Sequence, residues 1–512
     1  MKGANVAILG SGSRVQRFAS RLGRTIGGQG YNVSLFEDPV SLVSGLHEHD
    51  VHLVFLVPAT VPGGSPEYLP MLVHRTRPQA RVVFVADGSA PPPAAVGGSW
   101  YRVVQCFDDV VPLLEEWGPF RDLPCAEIPD NILVTGGLGF LGKALVRRLL
   151  ASTEATLWLL VRPRDGMSPQ GRVEAAFRGC DSGRLRVLQG DLVPGDVDSG
   201  RGFGSDLDLV RANGPEAVEE LLACCNGVLH VGAYLSFLDR EDERRRLFEV
   251  NVGGTTRLLS LVRRFHRPLI CFDYVSTAFV HGTLAAPAAL EEDDLCPSSW
   301  CNFYEHSKWI GETIVRSSGF PWRIFRPPII CEDLDSDELS AETIYGILDV
   351  VAVAVAKERK RGTTRLHVRI PTHARTLTNF IYRQDLARMI VDVVRSGTGT
   401  GHVYNTVNPE RFLGTIFWET LAEHLGFQWE ACPTVPRRPR NLVEALFYRV
   451  VIPRYEGYLY RSFPRPVQDN LRRLLGNTYP ETTARRIGKD ETRALVEHHL
   501  QILGSQPCRK TA

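Results

Sequence analysis

The 512-residue sequence lacks an excess of charge of either sign, because 59 basic and 58 acidic residues leave a formal net charge of +1. A protein whose main partner is nucleic acid or an anionic membrane usually carries a basic excess, so neither partner is indicated. Lysine is scarce, with 7 Lys beside 52 Arg. We attribute this skew to genomic base composition rather than to function.

Metal-binding clusters and membrane-spanning runs are also missing. The 11 cysteines are scattered, without repeated CxxC pairs or a Cys/His cluster at zinc spacing, so we expect reduced thiols and no metal site. The longest apolar run, Ile344–Ala356, is interrupted by Asp349 and is too short to span a bilayer. The opening MKGANVAILGSGS has too short an apolar run for a signal peptide. These features predict a soluble, cytoplasmic protein.

Residues 1–118 alternate short β-branched runs with helical stretches. Five segments read as buried strands: NVAILG, YNVSLFE, VHLVFLV, RVVFVAD and YRVVQCF. This pattern predicts a small parallel α/β domain of the flavodoxin or receiver type. No acidic pair follows the first strand and no Lys follows the fifth, so we expect a degenerate receiver with a structural or protein-binding role.

A linker over 119–130 is expected to lead into a second α/β unit. Asn131–Leu150 reads as a strand, a glycine turn and a helix, with Gly136, Gly139 and Gly142 in a GxxGxxG pattern. Glycines permit the tight turn and the approach of backbone amides to a pyrophosphate, which the helix N-terminus then attracts. The turn therefore predicts a dinucleotide site, to which we also assign Thr135, Phe140 and Leu141.

The residues after the next strands predict which dinucleotide binds. The strand in TLWLLVRPRDG ends at Arg162, where an acidic residue would accept the ribose hydroxyl of NAD. Arginine suits a 2′-phosphate, with Arg164 as helper, so NADPH is favoured over NADH; a solvated arginine pair is the alternative. Further along, other cofactor contacts are predicted at Asp191 and Leu192 beside the adenine and at the small residues Gly232 and Ala233.

The segment NFYEHSKW places Tyr304 four residues before Lys308. On a helix these side chains share one face, and an ammonium at that distance stabilises a phenolate. A lone pair at this spacing is equally compatible with a solvated surface. Support comes from Ser276 and Thr277 at the end of the strand in ICFDYVSTAFVHG, and from Asn251 in the helical segment before it.

In this order the motifs resemble those of the extended short-chain dehydrogenase/reductase family, from Asn131 to about Pro328. The resemblance implies that Tyr304 exchanges a proton with the reacting oxygen and that Lys308 holds the nicotinamide ribose. Thr277 would hydrogen-bond the same oxygen, whereas strand alternation should turn Ser276 away. By the same resemblance Asn251 braces the site, and Pro327 in FRPPII lies beside the nicotinamide.

Three details resemble the fatty acyl-CoA reductase and carrier-protein thioester reductase branch: TGGLGFLG, LLVRP and a long insertion before GVLHVGAYLSF. This resemblance implies that NADPH reduces an acyl-CoA or acyl-carrier-protein thioester to an aldehyde or alcohol. We expect an α/β architecture with a Rossmann domain over 131–410 and an α-rich substrate subdomain over 411–512, to which 331–375 contribute.

The sequence gives less information about the substrate itself. Residues 437–476 hold nine Arg among several aromatics, which would suit an acidic carrier protein, a CoA phosphate or peripheral membrane contact; an ordinary solvated face is the alternative. A dehydrogenase, epimerase or ketoreductase of a sugar nucleotide, sterol-like alcohol or natural-product intermediate is the second candidate. A non-catalytic NADP-binding scaffold is the third. The sequence leaves a homodimer open.

Overall fold

A computed structural model describes residues 128–505 with gaps at 165, 194–206, 283–298, 335–343 and 477–483. In the first 127 residues it describes 5–10, 15–16, 19–20, 22, 32–37, 41–42, 46, 51–57, 73, 81–85 and 101–104. The chain divides into two units, Met1–Glu127 and Ile128–Ala512. Among the described helices, none combines the length and the apolar character that crossing a bilayer requires.

The first unit contains one sheet of five parallel strands in the order β2-β1-β3-β4-β5. The strands are β1 (Asn5–Leu9), β2 (Asn32–Phe36), β3 (Val51–Leu56), β4 (Arg81–Val85) and β5 (Tyr101–Val104). Each strand falls within one of the five apolar segments that the sequence predicts as strands. Such continuous apolar runs are typical of parallel strands that are covered on both faces. The receiver-like assignment stays a prediction, and the predicted linker lies outside the described residues up to position 127.

The second unit is built on a seven-stranded parallel sheet in the order β16-β11-β10-β9-β6-β7-β8. Its strands are β6 (Asn131–Thr135), β7 (Thr156–Val161), β8 (Leu185–Gln189), β9 (Gly227–His230), β10 (Cys271–Val275), β11 (Trp322–Phe325) and β16 (His402–Tyr404). The strand order reverses between β6 and β9. In open parallel sheets a ligand binds at such a switch point, outside the carboxyl ends of the strands.

Helices cover both faces of this sheet. They are α1 (Phe140–Ser152), α2 (Pro169–Ala176), α3 (Leu207–Asn213), α4 (Pro215–Cys224), α5 (Glu241–Leu247), α6 (Gly254–Val262), α7 (Phe303–Arg316) and α9 (Arg383–Arg395). One apolar core packs α1 and α9 on the sheet, and another packs α4 and α6 on it. This is the Rossmann-like α/β fold expected from the sequence.

A third core lies in the C-terminal part of the unit. It joins α8 (Ile344–Lys360) with α10 (Thr415–Leu425), α11 (Leu442–Leu446), α12 (Ile452–Tyr460) and α14 (Lys489–Ser505). Short strand pairs accompany it: β12 (Ile329–Cys331) with β15 (Phe380–Tyr382), β13 (His367–Pro371) with β18 (Gln428–Cys432), and β14 (Leu377–Thr378) with β17 (Phe412–Leu413). The helix α13 (Asp469–Leu475) packs near α9 and β16. The division at residue 410 stays a prediction.

Candidate active site

One cavity of about 1510 Å³ opens at the carboxyl ends of β6, β7, β9 and β10. It is lined by nearly all of the side chains proposed above for cofactor binding and catalysis: Thr135, Gly136, Gly139, Phe140, Leu141, Gly142, Arg162, Arg164, Asp191, Leu192, Gly232, Ala233, Ser276, Thr277, Tyr304, Lys308 and Pro327. Asn251 is buried behind the cavity wall rather than on it.

The glycine turn between β6 and α1 fits closely against the next strand end. Gly136 has a φ of +71°, and a Cβ atom there would lie 2.6 Å from the amide nitrogen of Gly232. A Cβ at Gly142 would lie 2.0 Å from the carbonyl oxygen of Gly136. Both positions therefore require glycine. The resulting groove lets the backbone amides of the turn contact a pyrophosphate.

The N-terminus of α1 faces this groove. The helix begins at Phe140 after the N-cap residue Gly139, which supplies no side-chain cap, and its first turn contains no acidic residue. Uncapped amides and the helix dipole favour an anion at this point. The turn thus fits the pyrophosphate of a dinucleotide.

Arginines surround the end of β7. Arg162 Nη1 lies 3.4 Å from Asp191 Oδ2, and both side chains are substantially exposed, so the pair contributes little to stability. Arg172 on α2 donates to the carbonyl of Arg162 and also lines the cavity. Arg172 was not identified from the sequence because its proximity depends on how α2 folds back on β7.

Lys308 lines the cavity and is almost fully buried. Its ammonium donates to the carbonyl of Val275 at 2.7 Å and lies 4.1 Å from the centroid of the Tyr274 ring. Burial lowers the pKa of Lys308 to about 7, although nearby Glu312 opposes the shift. Tyr304, one turn earlier on α7, lines the same cavity.

The hydroxyl residues after β10 occupy the wall beside α7. Thr277 caps a short 3₁₀ turn, Ala278–His281, and its hydroxyl accepts from the amide of Phe279 at 3.3 Å. Ser276 is also among the residues around the cavity, but its side chain is buried and lies near Glu312 on α7. The expectation that Ser276 turns away from the reacting oxygen stays a prediction.

Asn251 lies in a π-helical turn, Phe248–Gly253, that precedes α6. Its side-chain oxygen accepts from the amide of Tyr234 at 2.7 Å, and its nitrogen donates to Ser307 Oγ at 2.9 Å. Ser307 in turn donates to the carbonyl of Tyr304 at 2.8 Å. The amide thus joins the loop after β9 to the helix that carries Tyr304.

A buried histidine extends this network, and the sequence analysis missed it. His230 Nδ1 lies 2.6 Å from Thr135 Oγ1, and Nε2 lies 3.0 Å from Thr255 Oγ1. Because Thr255 donates to the carbonyl of Asn251 at 2.6 Å, it accepts from Nε2–H, and Nδ1 then accepts from Thr135. Burial lowers the pKa of His230 to about 3, so the ring is neutral, in agreement with this arrangement.

A buried ion pair anchors α7 to the sheet. Arg326 donates two hydrogen bonds to Glu312, at 2.9 and 2.6 Å, and both side chains are almost fully buried. The bidentate geometry fixes the rotation of α7, because a planar guanidinium restricts the orientation of the carboxylate it binds. Tyr304 and Lys308 are thereby held toward the cavity.

Comparison with known proteins shows what this part of the chain is similar to. Residues 134–369 match the family model described as male sterility protein. Within this segment the chain is similar to the extended short-chain dehydrogenase/reductase family, on the fatty acyl-CoA reductase branch. The matched residues run from β6 through β13 and include every residue assigned above to catalysis.

Proteins similar to this chain include fatty acyl-CoA reductase 2 of Homo sapiens, 28% identical over 229 residues, which are 39% of this chain and 43% of that protein. Carboxylic acid reductase of Mycobacterium tuberculosis is 30% identical over 246 residues, covering 42% of this chain and 19% of that protein. The chain thus spans less than half the length of either relative.

A solved structure shares the fold. The terminal R domain from the myxalamid PKS-NRPS biosynthetic pathway has a TM-score of 0.56 at 21% identity, covering 74% of this chain and 91% of that domain. At this identity the likeness concerns the fold alone.

Proposed function

We propose that this protein is an NADPH-dependent reductase that converts an acyl thioester, on CoA or on an acyl-carrier protein, to an aldehyde or alcohol. One observation carries the proposal: Thr277, Tyr304 and Lys308 line the same cavity as the glycine turn and Arg162. The relatives support the substrate class through their names, fatty acyl-CoA reductase and carboxylic acid reductase.

The glycine turn and α1 would hold the dinucleotide pyrophosphate, and Arg162 with Arg164 would contact a 2′-phosphate. Arg172, which lines the same end of the cavity, adds a third cation there. Bound nicotinamide would supply the hydride. The positive charge of these arginines favours NADPH over NADH, since a phosphate bound by arginine gains charge-assisted hydrogen bonds.

Tyr304 and Thr277 would donate hydrogen bonds to the carbonyl oxygen of the thioester. Negative charge develops on that oxygen as the carbonyl is reduced, and donors already in place stabilise it without reorganisation. Lys308 is held by the carbonyl of Val275. In its protonated form, which burial confines to pH values below about 7, it would stabilise the Tyr304 phenolate left after proton transfer. Asn251 would keep α7 in register with the loop after β9.

The part of the cavity formed by the C-terminal core is largely apolar and suits an acyl chain, although Thr372, Thr376 and Thr378 also line the cavity. Its lining there comes from the C-terminal core: Ile344, Ile347, Phe417, Trp418 and Leu459. A sugar nucleotide would require hydrogen-bonding groups in place of these side chains, because its hydroxyls lose water on binding.

We further propose that residues 131–410 act as the cofactor-binding domain and 411–512, with 331–375, as the substrate subdomain. In this scheme residues 1–118 play a structural or protein-binding part, and the protein acts in the cytoplasm.

Parallel assays at 340 nm test the substrate class. With NADPH, purified protein is offered a long-chain acyl-CoA or an acylated carrier protein, and NADPH oxidation is followed; with NADP, it is offered a UDP-sugar or a secondary alcohol, and NADP reduction is followed. Turnover on a thioester is the expected result. Turnover confined to the sugar or the alcohol would reject thioester reduction, and binding of NADPH without turnover on any substrate would favour the scaffold.

A further inference from the structure

The C-terminal segment reaches the catalytic helix through one arginine. Arg461 follows α12 directly, and its guanidinium donates to Glu305 Oε1 at 3.1 Å and to the carbonyl of Gly282 at 2.5 Å. These partners lie 156 and 179 residues away in sequence. Arg461 is therefore a long-range link rather than a local cap.

Glu305 is the neighbour of Tyr304 on the first turn of α7 and is fully buried. Burial raises the pKa of the Glu305 carboxyl, and Arg461 opposes that shift. Glu305 Oε2 also accepts from the amide of Cys301 at 3.0 Å. A buried carboxylate needs such compensation to stay charged, so the first turn of α7 depends on the C-terminal segment.

Gly282 ends the 3₁₀ turn that Thr277 caps. By binding its carbonyl, Arg461 holds the end of that turn while it holds the start of α7. One guanidinium thus connects the two elements that carry Thr277 and Tyr304. Tyr458 reinforces the link, because its hydroxyl accepts from the side-chain amide of Asn302, the N-cap of α7, at 2.8 Å.

We propose that Arg461 is a positioning residue, whose guanidinium fixes the distance between the Thr277 and Tyr304 hydroxyls and so completes the catalytic site from the C-terminal segment. Neither Arg461 nor Glu305 lines the cavity as the described residues define it. Arg461 therefore acts through the catalytic side chains, not on substrate or cofactor. Its effect on turnover rests on the function proposed above.

The test compares Arg461→Gln, Arg461→Lys and Glu305→Gln with Arg454→Gln. Arg454 is the matched control, since it lies on α12 and donates to Val450 of its own segment. We expect Arg461→Gln to lower kcat at least tenfold with the NADPH Kd unchanged within twofold. Arg461→Lys keeps the charge but loses the planar fork whose two nitrogens bind the two partners, so its kcat should lie between those of Arg461→Gln and the wild type.

Amide hydrogen exchange supplies a readout that needs no substrate. In Arg461→Gln, peptides covering 277–282 and 301–309 should exchange faster, while the peptide covering 131–150 should not change. Unaltered exchange in the first two peptides, or equal loss of kcat and NADPH affinity, would overturn the proposal. If wild-type protein reduces no thioester, the proposed function fails, yet the exchange data still decide the role of Arg461.

Discussion

The hydroxyl of Thr135 lies 2.6 Å from Nδ1 of His230, fully inside the protein. Thr135 ends the strand that leads into the glycine turn, and it also accepts from the amide of Gly232 at 3.1 Å. Through Thr255 the imidazole continues to Asn251. The cofactor groove and the helix of Tyr304 are therefore joined by one chain of buried hydrogen bonds.

Replacing His230 by phenylalanine should change how the free energy of unfolding depends on pH, because the hydrogen-bonded imidazole is neutral in the folded protein. The folded pKa of His230 is about 3, against about 6.5 unfolded. As pH falls through this window the unfolded state binds a proton that the folded state does not, so wild-type protein loses stability. His230→Phe should be about 2 kcal/mol less stable at pH 7.

The stability deficit of His230→Phe should shrink by about 1.4 kcal/mol per pH unit between pH 6 and 4. Urea unfolding of both proteins at pH 7, 5.5 and 4.5 measures it. A constant difference across these pH values would show that His230 binds its proton over the same pH range in the folded protein as in the unfolded chain.

The close approach of Gly136 to Gly232 predicts that Gly136→Ala abolishes tight NADPH binding. The added methyl would lie 2.6 Å from the Gly232 nitrogen, which forces the two loops apart. Gly319→Ala is the control, because Gly319 has a φ of +79° but no atom within 4 Å of its Cβ position. Fluorescence titration should show that the Kd of NADPH rises at least tenfold in Gly136→Ala and does not change in Gly319→Ala. An equal rise in both variants would mean that the strained backbone, and not the contact with Gly232, causes the loss of binding.

The cofactor preference should depend on Arg162. Arg162→Ala removes a charge-assisted contact to a 2′-phosphate, and such contacts contribute about 1.5–3 kcal/mol. We expect the Kd of NADPH to rise about tenfold or more and that of NADH to stay unchanged. Arg186→Ala, an exposed position on β8, should alter neither; a parallel loss of both cofactors would reject the 2′-phosphate role.

Burial of Lys308 should also make the free energy of unfolding depend on pH. Its folded pKa is about 7, against about 10.4 unfolded. Between these two pKa values the unfolded state binds a proton that the folded state does not. Burial of Lys308 therefore destabilises the protein more as pH falls, and the effect is largest below pH 7.

The variant Lys308→Met therefore gains stability relative to wild type as pH falls from 10 to 7, by about 1.4 kcal/mol per unit. Denaturant unfolding at pH 9.5, 8.5 and 7.5 tests this slope, in which pH-independent losses such as the bond to Val275 cancel. A flat difference would mean that the ammonium stays charged throughout.

The glycine turn, the strand ends and the Tyr304/Lys308 spacing could be predicted because each is a local pattern. A turn needs Gly136 for its own φ, and a helix brings residues four apart onto one face. His230 gave no such signal, since a lone histidine in an apolar strand is compatible with ordinary packing. The roles of Arg172 and Arg461 could not be predicted for a different reason: their partners are far away in the sequence and come close only through tertiary folding.

The most direct test of the account is the loss of thioester-dependent NADPH oxidation in Tyr304→Phe. This substitution removes only the hydroxyl that we place on the substrate oxygen, and general acid catalysis typically contributes about 10²–10⁴-fold. Tyr448→Phe is the control, because the Tyr448 hydroxyl donates to the carbonyl of Arg369 outside the cavity. We predict that Tyr304→Phe binds NADPH as wild type does but turns over at least 100-fold more slowly; near-normal turnover would contradict the assignment of Tyr304 as the catalytic acid.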